Sequence, residues 1–533
     1  MTTAATLLQG GRIHSPSHPD ATAMVVRDGV VAWLGADAIA RDTYPDARVV
    51  DLDGAFVAPA FVDCHVHTTA TGLALIGLDL RAATSRAHCL DLLAQACAAS
   101  DDAVIWGHGW DDTAWSDGPD SAPSRAELDA RCGNRPVYLT RVDAHSALAS
   151  TALRAATPGL SDADGHHPDG PLSRAAHHLV RATARGLLRL DQRAAARAAA
   201  LDAFAANGIA AVHECAGPDI GGAVDWAELR DTAHGVAVTG YWGQAVADAD
   251  AARALIAETG AAGLAGDLFV DGALGSRTAW LRRPYADADC CGSSYLDTDT
   301  VTAHLAACTE AGITAGFHVI GDAAVDTVLT GLERVAAAFG APAVARCGHR
   351  LEHLEMIDAV GAEKLGRWGV IASMQPNFDA LWGGTDGMYA RRLGLPRSAG
   401  LNPLALLASA GVPLAFGSDT PVTSMNPWLT VRAATNHQTP GAAISARAAF
   451  AACTRGGWRA AGVRDGVAGT LTPGAPASYA IWDADELTVA APGDRVERWS
   501  TDPRSRVPAL PTLAGRLPRC RQTVRDGEVL FDA

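Results

Sequence analysis

Through the middle of the chain, short apolar runs alternate with longer alanine-rich stretches whose apolar positions recur at helical spacing. The short runs predict strands at 61–67, 208–214, 236–242, 266–271, 313–318, 349–353, 369–375 and 411–419. Helical patterns separate the later ones, over 300–311, 323–339 and 444–461. Strands and helices in regular alternation predict an α/β fold, a (β/α)8 TIM barrel, in which functional groups gather at the C-terminal ends of the strands.

The two ends of the chain follow a different pattern. Residues 24–34 (MVVRDGVVAWL) and 523–531 (TVRDGEVLF) each place Asp-Gly between β-branched runs, a hairpin signal because glycine accepts the positive φ of a tight turn. Neither end carries an apolar core sufficient for itself, so residues 1–57 and 467–533 are expected to form one composite β-sandwich, re-entered through the Pro/Gly-rich segment 469–479. Residues 58–466 then form the barrel, far longer than the roughly 250 residues a plain one needs. The surplus falls at 70–200, an insertion after the first barrel strand that starts at the barrel mouth and is expected to act as a lid. Within it, 104–106 and 137–139 read as strands, and the loop 107–115 (GHGWDDTAW) offers Trp110 and Trp115 as an apolar cover suited to a hydrophobic substituent.

Composition narrows the function classes. The 533 residues include 43 Lys+Arg and 59 Asp+Glu, a net charge of −16, which argues against nucleic acid or an anionic membrane as partner. No apolar run reaches the roughly 18 residues of a span and no leader pattern opens the chain, so a cytoplasmic protein acting on a small molecule, alone or as a homo-oligomer, is expected. The eleven cysteines are scattered without a CxxC pair, and read as reduced, buried side chains instead of a disulfide framework. Lys364 is the single lysine.

The predicted strand ends are unusually polar: His65 and His67, His213 and Glu214, Asp271, His318, His353, Gln375 and Asp419. In FVDCHVH, the i, i+2 spacing aims His65 and His67 to the same side of a strand, as two imidazoles on one metal require. A His-x-His pair arises by chance, and any one of the other histidines could be a core residue. Four histidines and one aspartate at the ends of four strands make convergence on a metal the better reading.

In this order and spacing, PAFVDCHVH, FVDGALGSRTA, HVIGDAAVD, RLEH, SMQP and GSDTPV resemble the metal-dependent amidohydrolase superfamily, in particular its YtcJ-like branch, which includes N-substituted formamide deformylases. The resemblance implies His65, His67, His318 and His353 as metal ligands, and Asp419 as both ligand and general base. One departure bears on the chemistry. Many members carry, four residues before the Asp-Gly, a lysine whose carboxylated side chain bridges two metals; here that place is Asp267. Asp267, or Glu214 as a further carboxylate, could serve a second metal, but Asp is much shorter than a carboxylated lysine, so one firmly bound divalent ion is favoured over two. Zinc is the first choice, and manganese and iron suit the same His/Asp donors.

Such a site implies hydrolysis of a carbon–nitrogen bond outside peptides, in an N-substituted amide or formamide, by metal-activated water with Asp419 as base. Arg277, in GSRT just past the fourth strand, either orients a substrate carbonyl or carboxylate or braces its loop against Asp271. His145 in the insertion is expected to lie away from the pocket, and His166, His167, His177 and His178 to be solvated. Two alternatives stand beside the amide hydrolase: a metal-dependent deaminase of a ring amine, needing Glu214 or Glu352 as an acid aimed at the ring, and a non-catalytic scaffold with the same fold.

Overall fold

The computed structural model describes residues 5–488 and 508–533. Eight parallel strands form one continuous sheet in chain order: Phe61–Val66, Ile209–Ala216, Ala237–Trp242, Gly263–Leu264, Thr314–Val319, Arg350–His353, Ile371–Met374 and Leu414–Phe416. A bridge between Val66 and Thr420 brings the last strand back to the first, so the sheet closes at its C-terminal end into the expected barrel.

Seven of these strands lie where the apolar runs predict them. The fourth differs: its regular part is only Gly263–Leu264, ahead of the predicted 266–271. Gly266, in the left-handed region (φ +76°) and pressed against Cys215, turns the backbone out of the ladder, which resumes where His318 bonds Leu268 and Val270. The helix expected over 444–461 is also two, Ala446–Ala452 and Arg455–Ala460. Gly456 and Gly457 there pack directly on Leu414 and Val62 of the barrel, so helix and strand approach closely where the break falls.

The outer helices bury one face each against the barrel. In Asp322–Phe339, Val325, Val328, Leu332 and Val335 recur at three- and four-residue spacing and join the main core, and Gly340 (φ +82°) ends the helix. No single helix among the described residues is long and apolar enough to cross a membrane.

Both chain ends build the sandwich. One sheet pairs Val30–Gly35, Ala23–Arg27, Thr6–Gln9 and Arg48–Asp51; the other pairs Arg12–Ile13, Phe56–Pro59, Tyr479–Asp483, Arg519–Arg525 and Glu528–Asp532. Phe56–Pro59 runs antiparallel to Tyr479–Asp483, so N- and C-terminal segments are neighbours in one sheet and share a core of Leu8, Met24, Val31, Val57, Tyr479, Ile481 and Val524. Asp28-Gly29 and Asp526-Gly527 all have positive φ, the primed turns that the sequence predicts.

The insertion after the first strand carries its own sheet, of Leu78–Asp79, Ile105–Trp110, Val137–Arg141, Ser146–Ala149 and Leu172–Ser173. Trp110 and Trp115 are not a pocket cover. They are buried with Leu80, Leu90, Leu128 and Leu139 in the insertion's own core, where the Trp110 indole donates to the Leu139 carbonyl at 3.0 Å. A disulfide joins Cys97 to Cys132, contrary to the all-reduced reading; scattered spacing could not reveal it, because the helices Arg86–Ala99 and Arg125–Cys132 meet only in the folded chain. The other nine cysteines are free, and most are buried.

Candidate metal centre

Barrel closure assembles the centre of the site. The Asp419 amide donates to the His65 carbonyl at 2.8 Å, and the His67 amide to the Thr420 carbonyl at 3.0 Å, so the end of the last strand is laced to the end of the first. Asp419 (φ +54°) and His353 (φ +69°) sit in the left-handed backbone region, a strain the surrounding fold must hold and one common at functional sites. Around them, His65, His67, Asp267, His318, His353 and Asp419 fall into overlapping buried groups whose ligand atoms lie within 4.8 Å of one another.

Asp267 is the residue the sequence reading underrated. Its Oδ1 lies 3.4 Å from His65 Nε2 and 3.5 Å from His318 Nδ1, and its Oδ2 lies 3.2 Å from His67 Nε2. The short side chain reaches because Gly266 turns the backbone inward, so Asp267 faces both histidine pairs without a carboxylated lysine. Its position four residues before Asp-Gly was the available signal; its reach was not readable, since it depends on where the backbone leaves the sheet.

Each of three histidines has its outer nitrogen held by an acceptor. His65 Nδ1 meets Glu352 Oε2 at 3.0 Å, His353 Nδ1 meets Gln375 Oε1 at 2.7 Å, and His318 Nε2 meets the Gly272 carbonyl at 3.3 Å. An imidazole that donates from its outer nitrogen presents a lone pair from the inner one. His65 Nε2, His318 Nδ1, Asp267 Oδ1 and Asp419 Oδ1 are accordingly buried without a hydrogen-bond partner, all turned to one small volume. Leaving so many polar atoms unsatisfied is costly, and a divalent cation satisfies all of them at once, so the residues present fit a metal. Burial by itself would raise the Asp267 pKa; positive charge beside it, on His65, His318 and His67 when these are protonated, outweighs burial and holds the carboxylate well below its usual range.

Other sequence candidates lie elsewhere. Glu214 is buried one layer out, where its Oε2 accepts the Thr68 amide at 2.8 Å, and it joins none of the ligand groups. Arg277 points away from the centre and pairs with Asp120 and Asp287, each at 3.0 Å. It braces loops as one of its two readings allowed, but not through Asp271, whose carboxylate accepts the amides of Trp280, Ile320 and Gly321. Lys364 pairs with Glu333 on the outer helices. His145, expected elsewhere, is in the pocket with its ring 4.9 Å from that of His318. His166 and His167 are exposed as expected, whereas His177 is buried and bonds the Tyr138 hydroxyl at 2.8 Å.

The cavity over the centre is walled by the insertion, through Trp106, His108, Tyr138, Thr140, Asp143, His145, Arg181 and Arg185. That wall is polar and cationic where the sequence suggested an apolar one. Its signal lay in residues the reading passed over, the arginines of RAAHHLVRATARG, one helical turn apart.

The sequence profile of the amidohydrolase family matches residues 48–531. Over 519 residues the chain is 27% identical to the protein LONG AFTER FAR-RED 3 of Arabidopsis thaliana, spanning 89% of this chain and 87% of that one. Over 447 residues it is 28% identical to YtcJ of Bacillus subtilis (strain 168), an amidohydrolase by name, spanning 77% and 79%. In structure it resembles an uncharacterized metal-dependent hydrolase from Pyrococcus furiosus, with a TM-score of 0.69 at 24% identity over 90% of this chain and 99% of that one, a likeness of fold.

Proposed function

The chain belongs to the amidohydrolase family, and from that premise we propose that it hydrolyses a carbon–nitrogen bond outside peptides, in an N-substituted amide. The observation that carries the reading is the set of unpartnered buried atoms on His65, Asp267, His318 and Asp419, turned to a common centre beneath a cavity. His65, His67, His318, His353, Asp267 and Asp419 would hold divalent metal, with zinc our first choice. A bound divalent ion supplies Lewis-acid charge, lowering the pKa of water and polarising a carbonyl. Placement in the YtcJ-like branch, with its N-substituted formamides, is part of the proposal and is supported by the ordered motifs.

Asp419 is the proposed proton carrier. Its Oδ1 has no hydrogen-bond partner and lies 3.3 Å from His67 Nε2 and 3.5 Å from His65 Nε2, at the floor of the cavity. It takes the proton of the attacking water and returns it to the departing nitrogen, which must be protonated to leave as an amine. A ring deaminase would need a free carboxylic acid aimed at the ring. Glu214 is engaged by the Thr68 amide and Glu352 by His65 and Arg350, which favours the amide hydrolase.

The test is a panel of N-formyl and N-acyl amines and ring amines, assayed with metal-supplemented and chelator-stripped protein. Metal-dependent release of amine from the acyl compounds is expected. Ammonia release from ring amines alone would overturn the reading.

A further inference from the structure

The catalytic cavity holds two arginines that nothing in the proposed reaction uses. Arg181 and Arg185 lie at i and i+4 on the helix Arg174–Gly186, so their side chains share a face, and both line the cavity with His67, Asp267 and Asp419. Arg181 is only 8% exposed. Its Nη2 donates to the Asp219 carbonyl, and its Nε is buried without a partner. Arg185 leaves Nε and Nη1 buried without partners, its guanidinium 5.9 Å from the centre of the Trp106 ring.

Buried arginines elsewhere in the molecule are paired: Arg141 with Asp111 and Asp143, Arg197 with Glu228, Arg350 with Glu352, and Arg392 with Asp287. Among the described residues, the buried Arg181 and the partly buried Arg185 beside it form no such pair. The carboxylates near them are committed: Asp225 to Thr69 and Arg197, Glu214 to the Thr68 amide, and Asp219 to the His178 side, at 3.6 Å. Those carboxylates offset part of the guanidinium charge from a distance, but Nε of Arg181 and Nε and Nη1 of Arg185 remain without an acceptor, and a ligand in the cavity can supply one.

We propose that Arg181 and Arg185 bind a carboxylate on the substrate, so that the enzyme acts on N-acyl amino acids in preference to neutral amides. This rests on the carbon–nitrogen hydrolysis reading. Guanidinium forks match a planar carboxylate in two parallel hydrogen bonds. A single negative charge suits the wall better than a phosphate dianion, because Asp219, Asp225 and Glu214 stand close behind the arginines and repel further charge. Trp106, Ile220 and Phe269 flank the same cavity and offer apolar surface to an amino-acid side chain.

The test compares N-acetylphenylalanine with N-phenethylacetamide, which differs only in lacking the carboxylate. The metal-loaded wild type should favour the acid in kcat/KM by about 10- to 100-fold, the range of charge-assisted hydrogen bonds. Arg185→Gln should collapse that ratio toward one through KM, Arg181→Gln should do the same, and Arg185→Lys should restore part of it. Calorimetric titration of both compounds into the Asp419→Asn protein measures binding without turnover, with the acid expected to bind more tightly and to lose that advantage when Arg185→Gln is added. Equal rates and equal binding for acid and amide, or a ratio indifferent to both arginine variants, would overturn the inference. If neither compound is hydrolysed, the hydrolysis reading fails for these amides, and the titrations still decide whether the arginines select a carboxylate.

Discussion

Nδ1 of His65 lies 3.0 Å from Oε2 of Glu352, and the same carboxylate is held from its other side by Nε and Nη2 of Arg350, all three side chains fully buried. The chain Arg350–Glu352–His65 fixes the imidazole with its proton outward and its Nε2 toward the metal centre. Glu352→Gln keeps the shape and removes the charge on which both neighbours depend. Loss of such a partner costs about 10- to 100-fold in metal affinity, and a buried guanidinium left unpaired costs about 3–5 kcal/mol. Metal retained against a graded chelator and the thermal midpoint should fall together. A variant that keeps both would remove Glu352 from the site.

Asp267 faces His65 and His67 on one side and His318 on the other, so both histidine pairs depend on one carboxylate. The wild type is expected to retain one firmly bound equivalent of divalent metal, and Asp267→Ala to lose most of it. Mass-spectrometric metal analysis after dialysis decides it. A wild type that retains two equivalents would overturn the single-ion expectation drawn from the missing lysine and make Asp267 the carboxylate shared by both ions.

The barrel was legible because apolar runs mark its strands, and His65, His318, His353 and Asp419 stood out as candidates because they fall at or just past the ends of those runs. The terminal hairpins were legible for a local reason, since Asp28-Gly29 and Asp526-Gly527 announce their turns. What escaped was set by contacts distant in sequence. The reach of Asp267 depends on the turn at Gly266, the role of Arg277 on Asp120 far up the chain, and the cationic wall on how the insertion's helix folds over the mouth. Trp110 and Trp115 misled because aromatic residues in a loop near a site look like cover, whereas the insertion is large enough to need a core of its own.

The two hairpin tips meet: a Cβ on Gly29 would stand 2.8 Å from the Asp526 carbonyl, on a backbone with φ +76°. Gly29→Ala therefore adds a left-handed alanine, about 1–2 kcal/mol, to a clash with backbone that cannot rotate away. Thermal unfolding should shift down. An unchanged midpoint would mean that the tips separate without cost.

His304 and His349 are buried and neutral, each with both nitrogens engaged. His304 Nδ1 accepts the Val246 amide at 3.2 Å and Nε2 meets the Leu264 carbonyl at 3.0 Å; His349 Nδ1 accepts the Ala315 amide at 2.9 Å and Nε2 meets the Thr309 hydroxyl at 2.9 Å. Burial lowers His304 to about 4 and His349 to about 3. A histidine whose folded pKa lies below its unfolded value of about 6.5 gives its full stabilisation above that value and loses it as pH falls toward the folded one. Each should withdraw about 2 kcal/mol by pH 5. Denaturant midpoints should decline from pH 6.5 to 4.5, with a shallower slope in His349→Gln. An identical slope in that variant would place the acid sensitivity elsewhere.

Asp419→Asn separates proton transfer from binding more cleanly than most substitutions at a metal centre. The residue sits at φ +54°, a conformation that Asn adopts readily, and its amide bond to the His65 carbonyl belongs to the backbone, so the barrel closure survives. Asn also keeps one side-chain oxygen in place of Oδ1. What disappears is the basicity needed to take a proton from water and return it to the amine. Positioned acid–base groups contribute about 10²–10⁴-fold, so kcat should fall by that much while metal content, resting on His65, His67, His318, His353 and Asp267, largely persists. Near-normal turnover would strip Asp419 of the role. Complete loss of metal would make it a ligand first, and Glu214, buried one layer behind His67, would then have to leave the Thr68 amide to act as base, a movement that a Glu214→Gln variant would expose.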